Sequence, residues 1–212
     1  MSAYKDDPFP NLIISYNQAA DLREKNDVSD WKKELRKRFL SLLEEEGKST
    51  LIDIGAGTGV HAKYFQERGI DVTCIDLSPA LIEKCREKGL KSYEVNILEI
   101  AGFEHQFGAA FALNSLLHIP TNLLQDGLSN ISKFLEPDGL LFWGQYGGNY
   151  REGVYQDDRY YPKRFFSLLD DNQIREFASK YFLIESFDQI IIKDMSPLYF
   201  QSMILRVKTK SK

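Results

Sequence analysis

The residues between positions 51 and 78 have the clearest potential for ligand chemistry. Gly55, Gly57 and Gly59 follow an apolar run and precede a helix-like run, and a second apolar run ends on Asp76. A loop that leads from a strand into a helix offers unpaired backbone N–H groups and the positive end of the helix dipole. Glycine is needed where such a backbone turns sharply or touches a ligand. The stretch therefore predicts a loop that holds a small ligand.

Two phosphate-binding loops match parts of the sequence but fit it poorly. The dinucleotide fingerprint G-x-G-x-x-G requires a glycine at position 60, where this chain has Val60. The segment 47–50, GKST, copies the end of a P-loop, but it follows a helix pattern and precedes a strand pattern. Position 42, where a P-loop has a further glycine, is Leu42. A pyrophosphate loop is therefore disfavoured but still open, and we interpret GKST as a helix cap and a turn.

The elements that must position the glycine loop alternate between strand and helix patterns. Strand-like runs cover 50–55, 71–76, 91–97, 107–114 and 139–146, and helix-like runs cover 29–47, 60–69, 78–89 and 122–135. This alternation indicates βαβ units and hence an α/β protein with a doubly wound, mostly parallel sheet. A further helix pattern at 170–181 and strand patterns at 182–192 and 198–208 predict a final antiparallel pair at the edge of the sheet.

Length and composition limit the classes of protein that remain. The 212 residues, 43% of them hydrophobic, are enough for one domain, and the net charge of −4 argues against a nucleic acid as the partner. No run approaches the roughly 20 apolar residues that span a bilayer. The two cysteines, Cys74 and Cys85, and the three scattered histidines do not suit a structural metal site. We expect a single domain over residues 1–212, in a reducing cytoplasm, with no metal and no membrane.

Several segments taken together resemble one family. The segment 51–59, LIDIGAGTG, is similar to motif I of class I S-adenosylmethionine-dependent methyltransferases, where a strand runs into D-x-G-x-G-x-G. Asp76 stands where that family has an acid at the end of the second strand, and segments 111–120 and 135–143 are also similar. The resemblance covers residues 50–146. It implies a mostly parallel seven-stranded sheet with an antiparallel C-terminal strand, and S-adenosylmethionine as the cofactor.

The resemblance implies cofactor contacts in the first half of the chain. Loop N–H groups suit the carboxylate of the cofactor, and Asp76 can accept hydrogen bonds from both ribose hydroxyls. Asp53 either meets the ammonium indirectly or only caps the loop. Asn96 stands where many members have an acid, and its amide oxygen can accept from the adenine amino group. The predicted cofactor contacts are Tyr16, Arg23, Asp53, Gly55, Ala56, Gly57, Gly59, Asp76, Leu77, Asn96, Ile97 and Asn114.

Residues 14–26 resemble the short leading helix that covers the cofactor in small members of the family. Tyr16 can stack or hydrogen-bond near the cofactor there, and Arg23 can pair with the carboxylate of the cofactor. The alternative is a surface helix in which neither residue contacts a ligand.

The methyl acceptor is expected beyond the carboxyl ends of the later strands, where doubly wound sheets bind ligands. Methyl transfer mainly requires alignment, and a base is needed only if the acceptor must lose a proton. His118 is the candidate catalytic base, because histidine titrates near neutral pH, and packing against the backbone is the alternative. The predicted substrate contacts are Ser115, His118, Tyr146, Tyr155 and Tyr160.

Residues 147–166 have no clean period and carry Tyr150, Tyr155, Tyr160 and Tyr161. A long loop inside a compact domain often serves as a lid, so we predict a lid on the acceptor side. Packing of the tyrosines on the sheet edge is the alternative. The adjacent acids 157 and 158 would favour a cationic acceptor unless they are simply solvated.

We therefore predict an enzyme that binds S-adenosylmethionine and transfers a methyl group to oxygen or nitrogen of a small molecule. Methylation of tRNA or another macromolecule is the alternative within enzymes. A non-catalytic regulatory protein that binds S-adenosylmethionine is the alternative outside them. The acceptor and the oligomeric state do not follow from the sequence.

Overall fold

The computed structural model describes residues 7–99, 106–192 and 198–208. The helices are α1 (Phe9–Glu24), α2 (Asp30–Glu45), α3 (Val60–Gln66), α4 (Pro79–Glu87), α5 (Thr121–Phe134) and α6 (Asp171–Ser179), with a 3-10 turn at Leu116–His118. The strands are β1 (Thr50–Ile54), β2 (Asp71–Asp76), β3 (Lys91–Glu94), β4 (Phe107–Leu113), β5 (Leu135–Gly147), β6 (Arg151–Val154), β7 (Phe165–Leu168), β8 (Phe182–Ile190) and β9 (Tyr199–Val207).

Seven of the strands form one sheet in the order β3-β2-β1-β4-β5-β9-β8. The first five pair in parallel, and β9 is antiparallel to both of its neighbours. The predicted doubly wound, mostly parallel seven-stranded sheet is therefore confirmed. The last strand inserts between β5 and β8, so β8 forms the edge. The strand order reverses between β1 and β4, and such a switch point opens a crevice at the carboxyl ends of the strands.

Local signals in the sequence set the helix boundaries. Ser78 caps α4 by accepting a hydrogen bond from the backbone N–H of Leu81 at 3.2 Å. Asp170 and Gln173 form a capping box at the start of α6. Gly47 takes a φ of +65° just after α2. GKST is therefore the end of a helix and the approach to β1, as interpreted from the sequence.

Helices cover both faces of the sheet, and successive residues of β4 point to opposite sides. Phe111 stacks on Phe142 with ring centroids 4.7 Å apart, beneath Phe39 of α2. Ala110 and Ala112 face α5 and α6 on the other side. Because both faces are covered, the central strands are continuous apolar runs, and this is the pattern that predicted them.

The structure adds a hairpin where the sequence predicted an irregular lid. Strands β6 and β7 pair antiparallel as a separate two-stranded sheet, with Glu152 opposite Ser167. Each strand has four residues, which is too short for an alternating pattern to be recognised. Residues 136–139, which follow the predicted helix at 122–135, lie inside β5, where Asp138 has a φ of +60° and the register to β4 shifts. Within the described ranges, no helix is long and apolar enough to cross a membrane.

Candidate active site

A cavity of about 570 Å³ lies at the carboxyl ends of β1, β2 and β4, with α1 forming one wall. This size is typical of a site for a cofactor or a small organic ligand. The cavity joins the glycine loop and the end of β2 to the turn that carries His118. Later parts of the chain contribute Tyr146, Arg159, Tyr160, Arg164 and Phe166. The crevice predicted from the strand order is therefore present and enclosed by side chains from distant parts of the chain.

The glycine loop needs its glycines for two different reasons. Gly55 has a φ of +69°, and a Cβ on it would lie 2.3 Å from Cβ of Ser115, so the glycine lets the end of β4 approach the loop. A Cβ on Gly59 would lie 2.9 Å from Sγ of Cys85, so this glycine lets α3 pack against α4. Gly55, Ala56 and Gly57 line the cavity. Gly59 lies behind the wall, so the structure does not bring this predicted contact to the cavity.

The carboxylate of Asp76 lines the cavity and also holds the glycine loop. Its Oδ2 accepts the backbone N–H of Gly57 and its Oδ1 accepts that of Ser78, each at 2.9 Å. Burial raises the pKa of Asp76, and these backbone donors oppose that shift. A carboxylate oxygen has a second lone pair, so both oxygens can still accept from a ligand. Leu77 lines the cavity beside it.

Asp53 lies behind the loop, outside the cavity wall. Its side chain is 3% exposed and accepts the backbone N–H of Ala62 at the start of α3, while Oδ2 has no partner within the described structure. Burial and the nearby charge of Asp76 raise the pKa of Asp53 to about 8. This placement matches the capping role that the sequence left open and offers no direct contact with a ligand.

At the β3 end of the cavity, Asn96 and Ile97 both line the wall. Oδ1 of Asn96 accepts the backbone N–H of Leu98 at 3.0 Å and so closes a turn. One of its two lone pairs is therefore used within the chain, and the other remains for the predicted contact with an adenine amino group.

Helix α1 brings Tyr16 and Arg23 to the cavity on one face. Asn17 docks the helix, because its Oδ1 accepts the hydroxyl of Ser78 at 2.7 Å. Arg23 stacks on the ring of Tyr16, with the guanidinium carbon 5.0 Å from the ring centroid. Nη2 of Arg23 lies 3.6 Å from where a Cβ on Gly57 would be, so the guanidinium covers the glycine loop. Both residues therefore face the cavity and not solvent.

His118 is held in one tautomer by a hydrogen bond from its ring. Nδ1 donates to the carbonyl of Phe165 at 2.8 Å, because a carbonyl oxygen can only accept. Nε2 is then the acceptor for the hydroxyl of Tyr16 at 2.7 Å. Burial lowers the pKa of His118 to about 3; the bond to the Phe165 carbonyl opposes this shift, and the charges of Arg164 and Arg23 add to it. The imidazole is therefore neutral, with a lone pair directed at Tyr16.

Arg164 completes this network from the later part of the chain. Its Nη1 donates to the hydroxyl oxygen of Tyr16 at 3.0 Å, and its Nε and Nη2 donate to the two oxygens of Asp158 at 2.8 and 2.9 Å. Asp158 is thus used inside the protein and does not offer its charge to a ligand. Asp158 therefore does not support the suggestion from the sequence that the two adjacent acids favour a cationic acceptor.

The tyrosines of residues 147–166 differ in position. Tyr160 is buried in the cavity wall. Tyr155 lies outside the wall and packs edge-on against Phe166, with ring centroids 6.1 Å apart. Tyr150 and Tyr161 are exposed. The structure therefore brings Tyr160 to the predicted acceptor side and leaves Tyr155 on the outer surface.

Four buried polar atoms of the cavity wall have no hydrogen-bond partner within the described structure: Arg23 Nε, His61 Nδ1, Asn114 Oδ1 and Ser115 Oγ. Leaving such an atom unpaired costs about 1–3 kcal/mol. Their position in one wall indicates a site that a polar ligand completes. This supports a fit to S-adenosylmethionine, which carries donors and acceptors at both ends. Asn114 also takes a strained φ of +56°, which directs the chain into the cavity after β4.

Sequence reasoning missed several residues of this wall, including Lys32, His61, Arg159, Arg164 and Phe166. His61 alone had a usable signal, because it lies in the first turn of the helix directly after the glycine loop. Among residues 7–99, 106–192 and 198–208, no cluster of three side chains could hold a metal ion. His105, one of the three scattered histidines, lies outside these ranges.

Comparison with known proteins finds a family model that matches part of the chain. Residues 51–139 match the family model described as a methyltransferase domain. This match, the curated relatives and the shared fold support a class I S-adenosylmethionine-dependent methyltransferase. The matched residues run from β1 into β5 and contain the glycine loop, Asp76 and His118. The resemblance noted in the sequence is therefore confirmed.

Two curated methyltransferases show how far the similarity extends. Phosphoethanolamine N-methyltransferase of Plasmodium falciparum is 25% identical over 193 residues, which cover 87% of this chain and 70% of that protein. Glycine/sarcosine/dimethylglycine N-methyltransferase of Actinopolyspora halophila is 33% identical over 136 residues, which cover 57% of this chain and 24% of that protein. The chain spans less than half the length of several curated relatives that it matches.

A solved structure shares the methyltransferase fold over nearly the whole chain. It is that of Burkholderia thailandensis 1,6-didemethyltoxoflavin-N1-methyltransferase, with bound 1,6-didemethyltoxoflavin and S-adenosylhomocysteine. The TM-score is 0.73 at 20% identity, and the match covers 99% of this chain and 94% of that one. At this identity the similarity establishes the fold.

Proposed function

We propose that this chain binds S-adenosylmethionine in the cavity and transfers its methyl group to oxygen or nitrogen of a small molecule. The observation that carries the proposal is that one cavity joins the glycine loop and Asp76 to the hydrogen-bonded pair of Tyr16 and His118. The glycine loop and Asp76 suit a cofactor that has a carboxylate and a ribose. The pair of Tyr16 and His118 suits an acceptor that loses a proton.

The cofactor would be held from the glycine loop to the end of β3. Backbone groups of Gly55 to Gly57 and the guanidinium of Arg23 would bind its carboxylate. Asp76 would bind the ribose hydroxyls, and Leu77 and Ile97 offer apolar contact to the adenine. When bound, S-adenosylmethionine supplies an electrophilic methyl group on a sulfonium. The chain itself has to hold, align and shield the two reactants.

His118 would handle the proton of the acceptor. Its Nδ1–H is fixed by the carbonyl of Phe165, which leaves Nε2 as a proton acceptor. Tyr16 lies on that nitrogen, so a proton can reach Nε2 directly or through the phenol hydroxyl. Because burial disfavours the imidazolium, His118 stays neutral before the reaction and is a weak base. Asn114 and Ser115 offer unpaired polar atoms that could orient a polar acceptor.

Residues 147–166 would act as the lid of this site within a single domain of residues 1–212. Arg164 and Tyr160 close against Tyr16, and the hydroxyl of Ser15 donates to the carbonyl of Pro162. Excluding water in this way strengthens the electrostatic interactions inside the cavity. Such closure would favour a small acceptor over a macromolecule such as tRNA.

Two further features support the proposal. The relatives are named as N-methyltransferases acting on phosphoethanolamine, glycine, sarcosine and dimethylglycine, which are small molecules. Cys74 and Cys85 are buried free thiols, which supports a reducing cytoplasm as the location.

Calorimetry tests the cofactor and a turnover screen tests the reaction. We expect S-adenosylmethionine and S-adenosylhomocysteine to bind and nicotinamide dinucleotides not to bind. Tight binding of a nicotinamide dinucleotide without binding of S-adenosylmethionine would overturn the proposal. Mass spectrometry of a panel of small amines and hydroxyl compounds would then detect the methylated product. Binding without turnover of any acceptor would favour a regulatory protein.

A further inference from the structure

The cavity wall carries more positive than negative charge, although the whole chain has a net charge of −4. The charged residues in the wall are the bases Arg23, Lys32, Arg159 and Arg164 and the acids Asp27 and Asp76. Asp27 and Arg159 are both exposed at the mouth. A positive cavity in an acidic protein concentrates anions locally and repels cations.

Most of these bases lack an acidic partner. Arg164 is neutralised by Asp158, but in the described part of the chain no carboxylate forms an ion pair with Arg23, Lys32 or Arg159. Arg23 covers the glycine loop, where the proposed function assigns it to the carboxylate of the cofactor. Lys32 and Arg159 then remain unpaired when the cofactor is bound.

Arg159 lies in the part of the cavity wall that also carries Tyr16, Tyr160 and Arg23. Its Nη2 donates to the hydroxyl oxygen of Tyr160 at 3.4 Å, and its guanidinium carbon is 5.2 Å from the centroid of that ring. The Tyr160 ring is in turn 6.2 Å from that of Tyr16, which bonds to His118. Lys32 lies elsewhere, over the ring of Tyr146. An acceptor with its nucleophile at Tyr16 would therefore extend towards Arg159 and Tyr160.

The cofactor itself adds positive charge to the cavity. Its ammonium and sulfonium outnumber its one carboxylate, so binding makes the cavity still more positive. A second cation in the acceptor would meet repulsion that low dielectric makes large, whereas an anionic group would offset the excess. Burial raises the pKa of Tyr160, yet the neighbouring guanidinium groups of Arg23 and Arg159 bring it below its ordinary value. The potential at the Tyr160 hydroxyl is therefore positive.

We propose that the methyl acceptor carries an oxyanion group, a carboxylate or a phosphate, and that Arg159 and the hydroxyl of Tyr160 bind it. The proposal rests on the proposed function and specifies its acceptor. Because Tyr160 accepts a hydrogen bond from Arg159, its own O–H remains free to donate to the oxyanion, as Arg159 does.

The test measures binding of inorganic phosphate and of acetate to the complex with S-adenosylhomocysteine. Thermal melts at constant ionic strength, with chloride as the reference anion, report the affinity of each anion. The variant is Arg159→Gln. The matched control is Arg151→Gln, because Arg151 stacks on Tyr155 in the same segment at 5.0 Å but lies outside the cavity wall.

We expect phosphate, acetate or both to stabilise the complex more than chloride does. The anion that stabilises it more indicates which oxyanion the acceptor carries. Arg159→Gln should weaken binding of that anion roughly fivefold or more, because it removes a charged donor at an exposed site. Arg151→Gln should leave the affinity unchanged. No stabilisation beyond chloride, or equal losses in both variants, overturns the proposal. Calorimetry of S-adenosylhomocysteine on the same samples distinguishes the two proposals. If S-adenosylhomocysteine binds but no anion does, only the oxyanion proposal fails; if S-adenosylhomocysteine does not bind, the proposed function fails.

Discussion

Replacing Asp53 by asparagine should remove a buried carboxyl group whose ionisation the fold disfavours. One carboxylate oxygen of Asp53 is bound by the backbone N–H of Ala62, but the other has no partner within the described structure. Burial and the charge of Asp76 raise the pKa of Asp53 from 3.8 to about 8. Asparagine keeps the shape and one acceptor oxygen, so it removes the charge with little change in packing.

The raised pKa sets both the sign and the size of the effect. Between pH 3.8 and about 8, the folded protein holds a proton on Asp53 that the unfolded chain has released. The contribution of this group to the free energy of unfolding is therefore largest at low pH and is lost as the pH rises through about 8. Linkage allows about 1.4 kcal/mol for each pH unit of this window, and relaxation around the charge reduces it.

We expect the stability advantage of Asp53→Asn over the unmodified protein to grow by about 1–3 kcal/mol between pH 5.5 and 8.5. Urea denaturation at the two pH values measures it. Asp71→Asn is the matched control, because Asp71 is exposed at the opposite end of the neighbouring strand β2. The control should show no comparable growth with pH.

An advantage that stays constant or shrinks with pH would show that Asp53 is ionised and well stabilised in the folded protein. The loop would then hold its carboxylate by contacts that the structure does not contain. If the stability advantage of the Asp71→Asn control grows equally with pH, groups other than Asp53 cause the pH dependence, and the prediction for Asp53 is wrong.

Three predictions concern the remaining parts of the site. Asp76→Ala should weaken binding of S-adenosylhomocysteine by about 1–3 kcal/mol in calorimetry, because it removes a charged acceptor, and unchanged affinity in a folded variant would remove Asp76 from the site. With an acceptor identified, Tyr160→Ala should raise the acceptor KM and leave the affinity for S-adenosylhomocysteine unchanged, whereas Tyr155→Ala should change neither. If Tyr160→Ala loses as much cofactor affinity as Asp76→Ala does, Tyr160 lies over the cofactor. His118→Asn should lower kcat roughly 100-fold or more if the acceptor loses a proton to it, and Tyr16→Phe should lower kcat less; full kcat in the His118 variant would make this histidine a packing residue.

The fold and the cofactor end of the cavity could be predicted from the sequence because their signals are local. The buried strands are short apolar runs, the helices have caps such as Ser78, and the glycines follow a strand directly. The five parallel strands and the loop after β1 were therefore predicted correctly. Chain order also brought Asp76 to the loop, since the carboxyl ends of adjacent parallel strands meet at one edge. The predicted roles of Asp76 and of the loop towards a ligand remain predictions.

The tertiary structure decided which of the suggested residues share the cavity. Gly59 and Asp53 have the right spacing, but packing against α4 and capping of α3 turn them away from the wall. Tyr155 and Tyr160 look equivalent in the sequence, yet the pairing of β6 with β7 puts one outside and the other inside.

The acceptor end depends on contacts between residues far apart in the chain, and no local pattern records those contacts. Tyr16, His118 and Arg164 meet only because α1 docks on α4 and β7 of the hairpin packs against the 3-10 turn that carries His118. The same folding pairs Arg164 with Asp158 and leaves Arg159 without an acidic partner in the described structure. Composition could supply the net charge of the chain, but only the arrangement of side chains could determine the charge of the cavity.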